Sequence, residues 1–401
     1  MARASEAEVR LHGRRVGVLI YDRGGSRFIY EDDLAAPDHQ VLGQIFEDDP
    51  ATVRRARVGL PAWFANLLPE GALRQHIVRE LGGGNIGDFT LLLRLGRSLP
   101  GAVTVHADVE PDDDLATPTV PPAPTDDEPL RHSLAGVQLK FSIASDKLTT
   151  RVRGGGGWWV AKLPDRSAPH LPVNEYLTLE WLRAAGFPVP RTLLVKAADI
   201  QGIPPGLVEP DEEVFLTERF DRTRRGPVHV EDMAQVADVA PTFKYSESGA
   251  TYDSLGAVIH ALTGEAGLRD YVRRLVAMLV VGNTDAHLKN WALLYPDGRT
   301  PTLAPVYDFH SLTVYSRYRY QPLALSLAGE RVAGEITVDH LTRLVGPYGL
   351  GGQWASELVA ETAESLRQAW TEQVRPEAAS RFAGLADHYT HRLDTLPVLR
   401  V

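Results

Sequence analysis

The sequence predicts an α+β protein in which a small α+β unit precedes a strand-rich lobe and a helix-rich lobe. Three observations predict this fold class. Short segments near the N-terminus alternate apolar and polar residues as strands do, and helical patterns follow them. An acidic, proline-rich stretch then separates this unit from a second run of strand patterns. From about residue 220 onward helical patterns dominate, and the chain of 401 residues has room for two or three domains.

The N-terminal unit begins with strand patterns and ends with helical ones. Glycines and other turn residues separate the strands, which are predicted at residues 9–11, 16–21 and 26–30. Helices are predicted at 62–68 and 71–81, and the second ends at the glycines 82–84.

The stretch at 108–130 reads as an extended linker. It contains six prolines and eight acidic residues, with no lysine or arginine before Arg131, and such a composition cannot bury a core. The predicted domains are therefore a small α+β domain, the linker, a strand-rich lobe and a helical lobe, at residues 1–107, 108–130, 131–220 and 221–401.

Charge and composition exclude several classes of protein. The net charge is −10, and about −2 without the linker, so the chain lacks a strongly basic nucleic-acid footprint and any DNA contact is expected through a partner. No apolar run approaches the roughly 20 residues that span a bilayer, and the first residues lack the apolar region of a secretion signal. Cysteine is absent, which rules out disulfides and thiolate metal sites. We therefore expect a cytoplasmic protein.

The elements after the linker lead to a polar loop. Strands are predicted at 138–143, 147–153, 158–163, 191–195 and 214–219, with a helix at 173–185. A later helix at 268–281 has helically spaced apolar residues and would deliver the chain to Asp285.

Asp285 and Asn290 have the spacing of a protein-kinase catalytic loop, in which an Asp is followed five residues later by an Asn. Asp308 follows in a short apolar segment, as the metal-binding Asp of kinases does. The pattern predicts Asp285 as the base that accepts a hydroxyl proton, and Asn290 and Asp308 as oxygen ligands of Mg²⁺. Asp and Asn also cap helices and turns, which is the structural alternative for this loop.

Candidate nucleotide contacts precede that loop in the order found in kinases. Lys162 ends a Val-Ala-Lys strand and would bind ATP phosphates, and Glu175 on the next helix could pair with it. The backbone at Glu218 and Phe220 could contact adenine, and Lys289 could neutralise the transferring phosphate. Taken singly, Lys162 is as well explained by a solvated strand end, and Glu175 by a solvated helix carboxylate. An ordinary connection between strand and helix is the better explanation of Glu218 and Phe220 without the other motifs.

The candidate phosphate loop is the segment 133–140, which contains Ser133 and Gly136 and directly precedes the first strand of the lobe. The four glycines at 154–157 lack the Gly-Lys-Ser/Thr ending of a phosphate loop and favour a hairpin turn.

A different metal chemistry is the second interpretation of the polar residues. Asp285, His287, Asp308 and His310 could bind a transition metal directly. The chain has no His-Glu-x-x-His motif and no tight histidine cluster elsewhere, so the magnesium interpretation is favoured.

Taken together, these segments resemble the HipA family of serine/threonine kinases of type II toxin–antitoxin modules. The resemblance covers about 131–380, and residues 60–71 resemble the small N-terminal domain of the same family. The segments that carry it share the order and residue types of the family: 133–140, 159–164, 174–176, 217–222, 231–235, 282–290 and 307–308. Two features depart from it, namely the acidic linker and Phe309-His310, where small or aliphatic residues are common.

The resemblance implies a two-lobed kinase-like fold that uses ATP and Mg²⁺. It implies autophosphorylation of Ser133, which ejects the phosphate loop and silences the kinase. It also implies a protein substrate such as an aminoacyl-tRNA synthetase, whose phosphorylation stalls translation and promotes persistence. The implied partner is a small helix-turn-helix antitoxin that binds operator DNA.

Two alternatives remain open from the sequence. The phosphate machinery does not specify the acceptor, so a lipid or small-molecule kinase would carry the same residues. The chain could instead be a nucleotide-binding co-repressor that acts with a DNA-binding antitoxin.

Overall fold

The computed structural model describes residues 5–22, 24–70, 74, 77–78, 86–107, 138–141, 149–154, 157–164, 168–200, 203 and 208–400. These residues form two compact units. Unit 1 comprises residues up to Leu163 together with Val195–Pro241, and unit 2 comprises Pro164–Leu194 together with the chain from Thr242 onward. Among the described residues, no helix is long and apolar enough to cross a membrane.

Unit 1 opens with an antiparallel sheet of five strands. These are β1 (Ser5–Leu11), β2 (Arg14–Asp22), β3 (Gly25–Tyr30), β4 (Arg54–Ala56) and β5 (Val103–His106). The strands lie in the order β4-β3-β2-β1-β5. The first three strand predictions fall inside β1, β2 and β3. The sequence pattern was informative because alternate residues of a strand, such as Val9 and Leu11, are buried while their neighbours are partly exposed.

One face of this sheet is covered by short helices and an aromatic core. The helices are α1 (Gln44–Asp48), α2 (Ala62–Ala65) and α3 (Asp88–Leu95). Phe28 of β3 contacts Phe64 with ring centroids 4.7 Å apart, and Trp63 packs edge-on against Phe46 at 5.5 Å. Such aromatic pairs bury large apolar surfaces and dominate the stability of a small core.

Residues 213–241 belong to the same unit. The strands that precede them in the chain are β6 (Gln138–Phe141), β7 (Thr149–Gly154), β8 (Gly157–Lys162) and β9 (Thr192–Lys196). Residues 213–241 themselves contain β10 (Glu213–Glu218), β11 (Arg222–Thr223), β12 (Gly226–Pro227), β13 (His229–Asp232) and α5 (Met233–Val236). Strands β6, β7, β8 and β10 lie side by side in that order. The antiparallel pairing of β8 with β10 sets Lys162 opposite Phe215.

The carboxylate of Glu231 joins the two parts of unit 1. Its Oε1 accepts from the indole Nε1 of Trp63 at 2.9 Å, and its Oε2 accepts from the Gln44 backbone N–H at 3.1 Å. Glu231 is fully buried. These bonds satisfy donors that would otherwise lose their water without compensation.

We expect Glu231→Ala to lower the free energy of unfolding by about 1–3 kcal/mol, because the buried Trp63 indole N–H and the partly buried Gln44 backbone N–H lose this acceptor. Urea unfolding followed by tryptophan fluorescence measures the change. Glu209→Ala, at an exposed position of the same unit, is the control and should leave stability nearly unchanged. Equal stabilities of the two variants would contradict the role given to Glu231.

Unit 2 is mainly helical. Its helices are α4 (Leu171–Ala184), α6 (Tyr252–Val281), α7 (Val338–Val345), α8 (Gly352–Ala369), α9 (Arg375–Arg381) and α10 (Ala383–Thr395), with a π-helical turn at Trp370–Val374. A hairpin of β14 (Ala292–Tyr295) and β15 (Thr302–Leu303) follows the polar loop. The predicted helix at 268–281 is the second half of α6, which bends at Gly264.

The buried half of α6 forms the centre of unit 2. Residues 275–281 are all fully buried, which explains why the sequence there is continuously apolar rather than amphipathic. The Arg392 Nε of α10 donates to the Val280 carbonyl at 3.0 Å and so satisfies part of the last turn of α6. The end of α6 is therefore held firmly where the polar loop begins.

Candidate functional site

Gly282 terminates α6 and turns the chain into the polar loop. It adopts φ 73°, and its N–H donates to the carbonyls of Met278 and Leu279 at 3.0 and 3.1 Å. A Cβ at this position would lie 2.0 Å from the hydroxyl of Thr313. Both the left-handed backbone and the close approach therefore require glycine.

We expect Gly282→Ala to lower the free energy of unfolding by about 1–3 kcal/mol, since it adds left-handed strain and overpacking. Chemical unfolding measures the effect. Gly346→Ala is the matched control, because Gly346 has φ −52° and no atom within 4 Å of an added Cβ. If Gly282→Ala were as stable as this control, the requirement for glycine at position 282 would be contradicted.

The backbone of the loop after Gly282 is fixed by its own polar groups. The Asp285 N–H donates to Asn283 Oδ1 at 3.2 Å, and the Asp285 carbonyl accepts from the His287 N–H at 2.8 Å. The same carbonyl accepts from Asn290 Nδ2 at 3.0 Å. Asn290 is thereby anchored to Asp285 through its amide nitrogen, while its Oδ1, the atom suited to a cation, is a separate acceptor.

The Asp285 carboxylate is partly exposed and accepts from the Tyr245 hydroxyl at 2.9 Å. The Tyr245 ring stands edge-on to His287, with centroids 5.1 Å apart. Below the loop, Tyr252 donates to the Ala286 carbonyl at 3.1 Å. Burial, with a further contribution from the Asp285 charge, raises the pKa of Tyr252, so this hydroxyl remains a neutral donor under the loop.

Asp308 lies in a segment that is held at several backbone positions. The Val306 N–H donates to the Pro188 carbonyl at 2.8 Å, and the Leu312 N–H donates to the Gly282 carbonyl at 3.1 Å. Asp308 is buried and has φ 55°. An aspartate in the left-handed region is uncommon and concentrates at functional sites, where the surrounding structure maintains it.

Asn174 of α4 also binds this segment. Its Oδ1 accepts from the Ser311 N–H at 2.9 Å, and its Nδ2 donates to the Ser311 carbonyl at 2.7 Å. Its neighbour Glu175 is thereby brought to Asp308 and His310, and the ligand atoms of these three side chains lie within 4.8 Å of one another. All three residues are buried.

The structure thus places the predicted site residues in different parts of the chain. Asp285, Lys289, Asn290 and Asp308 belong to unit 2, where Lys289 is partly exposed. Lys162, Glu218 and Phe220 belong to unit 1 and are partly exposed. Ser133 and Gly136 lie outside the described residues. The pairing of Glu175 with Lys162 stays a prediction, as do the domain limits at 107, 130 and 220.

In unit 1, Glu218 ends β10 opposite Trp159 of β8. Lys162 ends β8, with its Nζ 6.0 Å from the centre of the Phe215 ring. The predicted strands that carry both residues are therefore neighbours in one sheet.

Sequence reasoning missed three contributions to the site. Tyr245 comes from a short connection without any motif, so nothing in the sequence pointed to its bond with Asp285. The sequence showed Asn174 only as part of a segment typical of the family. In the structure its two hydrogen bonds to the Ser311 backbone hold the segment that contains Asp308. Among the described residues, Glu175, Asp308 and His310 form a group that could hold a metal ion. The sequence had suggested Asp285, His287, Asp308 and His310 instead.

These features define a mixed α/β protein that carries a kinase-type loop at the end of a buried helix. Residues 7–106 match the family described as "HipA N-terminal domain", and residues 132–370 match "HipA-like C-terminal domain". The chain belongs to the HipA family.

Three proteins similar to this chain are two sequence relatives and one solved structure. "Putative kinase Y4dM" of Sinorhizobium fredii is 36% identical over 385 residues, covering 92% of each chain. "Putative kinase Y4mE" of the same organism is 29% identical and covers 88% of this chain and 89% of its own. HipA of Shewanella oneidensis MR-1, solved with HipB and operator DNA, has a TM-score of 0.68 at 19% identity and covers 97% of this chain and 96% of its own. This likeness confirms the predicted fold.

Proposed function

We propose that this protein is an ATP- and Mg²⁺-dependent serine/threonine protein kinase. The observation that carries the proposal is the hydrogen bond from Asn290 Nδ2 to the Asp285 carbonyl, which fixes the base and the metal-ligand candidate in one short loop. Because the same spacing serves phosphoryl transfer in kinases, helix capping alone is a weaker explanation of the loop. The names of the Sinorhizobium relatives support the same reaction class.

Each predicted residue has a role in this reaction. Asp285 accepts the proton of the substrate hydroxyl, and Tyr245 orients the Asp285 carboxylate. Asn290 and Asp308 supply oxygen donors of the kind that Mg²⁺ prefers, and the ion neutralises phosphate charge when it is bound with ATP.

The nucleotide is assigned to the remaining residues. Lys162 and Lys289 bind phosphate oxygens, as cations do in kinases. The backbone at Glu218 and Phe220 is proposed to bind adenine, and Ser133 and Gly136 are the proposed phosphate-binding residues of the predicted phosphate loop.

Autophosphorylation tests the activity. After phosphatase treatment and its removal, the purified chain is incubated with labelled ATP and Mg²⁺, and the modified residues are mapped by mass spectrometry. We expect label on Ser133, and none at this position in Ser133→Ala. A chain that labels neither itself nor any protein of a cell lysate would exclude the kinase proposal.

We further propose that the chain acts as the toxin of a type II toxin–antitoxin module with a helix-turn-helix antitoxin. The likeness to a HipA solved with HipB and operator DNA supports such a partner, and the near-neutral charge outside the linker fits a DNA contact made through it. In cells, Asp285→Ala should abolish growth arrest while operator repression with the antitoxin survives. Repression without any arrest by the wild type would favour the co-repressor alternative.

The protein substrate is proposed to belong to the translation machinery, such as an aminoacyl-tRNA synthetase. Phosphoproteomics after brief induction, comparing the wild type with Asp285→Ala, identifies it. Phosphosites confined to proteins outside translation would contradict this choice of target, while phosphorylated lipids or small molecules alone would favour the other acceptor class.

A further inference from the structure

We propose that Glu175, Asp308 and His310 form a cation site that binds a divalent transition metal such as Mn²⁺ without nucleotide. The three ligand atoms lie within 4.8 Å of one another. Atoms on opposite sides of one ion, at bond lengths of about 2.0–2.3 Å, are separated by up to roughly 4.6 Å. Small side-chain adjustments therefore suffice for all three to bind the same ion.

The chemistry of the donors decides which ion fits. Two carboxylates and one neutral imidazole carry a formal charge of −2, which a divalent cation balances. Mg²⁺ prefers oxygen ligands and usually keeps several waters, whereas imidazole is a common ligand of transition metals. His310 therefore shifts the preference of this site away from Mg²⁺ toward an ion that accepts both oxygen and nitrogen.

The surrounding structure holds the donors in place. Asn174, adjacent to Glu175, makes two hydrogen bonds to the Ser311 backbone, adjacent to His310. These bonds fix the separation of α4 from the 308–311 segment. All three donors are buried and all belong to unit 2, so the site is assembled from one compact unit.

This site differs from the proposed nucleotide-dependent one, although both use Asp308. The pair Asn290 and Asp308 offers Mg²⁺ two protein oxygens and relies on ATP phosphates for others. The set Glu175, Asp308 and His310 offers three protein ligands and needs no phosphate. Binding of a metal ion in the absence of nucleotide therefore distinguishes the second site from the first, and it requires no phosphoryl transfer.

The test uses the full chain, stripped of metal with chelator, without nucleotide. Electron paramagnetic resonance measures free Mn²⁺ during titration. We expect about one bound Mn²⁺ per chain, displaced only by a large excess of Mg²⁺. Glu175→Gln and His310→Gln should each weaken this binding at least about tenfold. His391→Gln, at an exposed histidine of α10, is the matched control and should bind as the wild type does.

A second measurement needs only the wild type and so is independent of how the variants fold. Electron spin echo modulation of bound Mn²⁺ should show a directly coordinated ¹⁴N from imidazole. No Mn²⁺ binding without nucleotide, binding without a nitrogen ligand, or undiminished binding in folded Glu175→Gln and His310→Gln would each overturn the inference. Asn290→Ala should retain the nucleotide-free ion.

The outcomes also separate this inference from the kinase proposal. Labelling of Ser133 by a chain that binds no Mn²⁺ without ATP would leave the kinase standing and remove the metal site. If the chain bound Mn²⁺ through a nitrogen ligand but transferred no phosphate, the metal site would stand and the kinase proposal would be removed.

Discussion

Asp285→Asn should lower the rate of phosphoryl transfer by about 10²–10⁴-fold, because an amide cannot accept the substrate proton as a carboxylate does. Asn is nearly the same size and can still accept the hydrogen bond that Tyr245 donates to Oδ1. The loop backbone is held by the Asp285 N–H and carbonyl, which the substitution retains. Single-turnover transfer from labelled ATP to Ser133 measures the rate.

Asp297→Asn is the control for this prediction. Asp297 is an exposed residue of the same unit, in the turn between β14 and β15, where it accepts from backbone N–H groups of Arg299 and Thr300. The rate of phosphoryl transfer by Asp297→Asn should match that of the wild type. If Asp285→Asn retained the wild-type rate, another group would have to be the base. ATP binding, followed separately by calorimetry, should be little changed in both variants.

Asp221→Asn should lower the free energy of unfolding by about 3–5 kcal/mol, because it leaves the buried guanidinium of Arg219 and the partly buried guanidinium of Arg222 without their carboxylate. Asp221 accepts from Arg219 Nε at 2.8 Å, from Arg222 Nη1 at 2.9 Å and from the Gly101 N–H at 2.9 Å. Arg222 also donates to the carbonyls of Leu99 and Gly101. The change would therefore loosen the contact between the 99–101 segment and residues 219–222 within unit 1.

Urea unfolding of Asp221→Asn measures this loss, and Asp211→Asn, at an exposed position before β10, serves as the control. A loss no larger than that of the control would show that the buried ion pairs contribute little.

The stability that Asp221 contributes should also depend on pH. Burial alone would raise the pKa of Asp221, but the charges of Arg219 and Arg222 and the hydrogen bonds outweigh it and hold this pKa well below the ordinary 3.8. The folded state therefore favours the ionised form, so the contribution is present above the ordinary pKa and is lost as the pH falls below it. The difference between the wild type and Asp221→Asn should shrink below about pH 4.

Local patterns predicted much of the fold. The alternation in β1 to β3 and the apolar run before Asp285 marked elements that the structure contains, since each burial pattern follows from the period of a strand or the length of a buried helix. Their ends were less certain. The predicted strand at 9–11 begins at Ser5, and the helix that reaches Val281 begins at Tyr252, because end positions depend on pairing and caps formed with distant residues.

The sequence by itself determined the kinase-type spacing of Asp285 and Asn290, the glycine at 282 and the family to which the chain belongs, because each depends on residues close together in the chain. Only the tertiary structure decided that Asn174 holds the Asp308 segment, that Tyr245 contacts Asp285 and that Glu175 meets Asp308 and His310. The physical reason is that these contacts join residues 40 to 137 positions apart. Such proximity arises from the packing of whole helices, which no local pattern encodes.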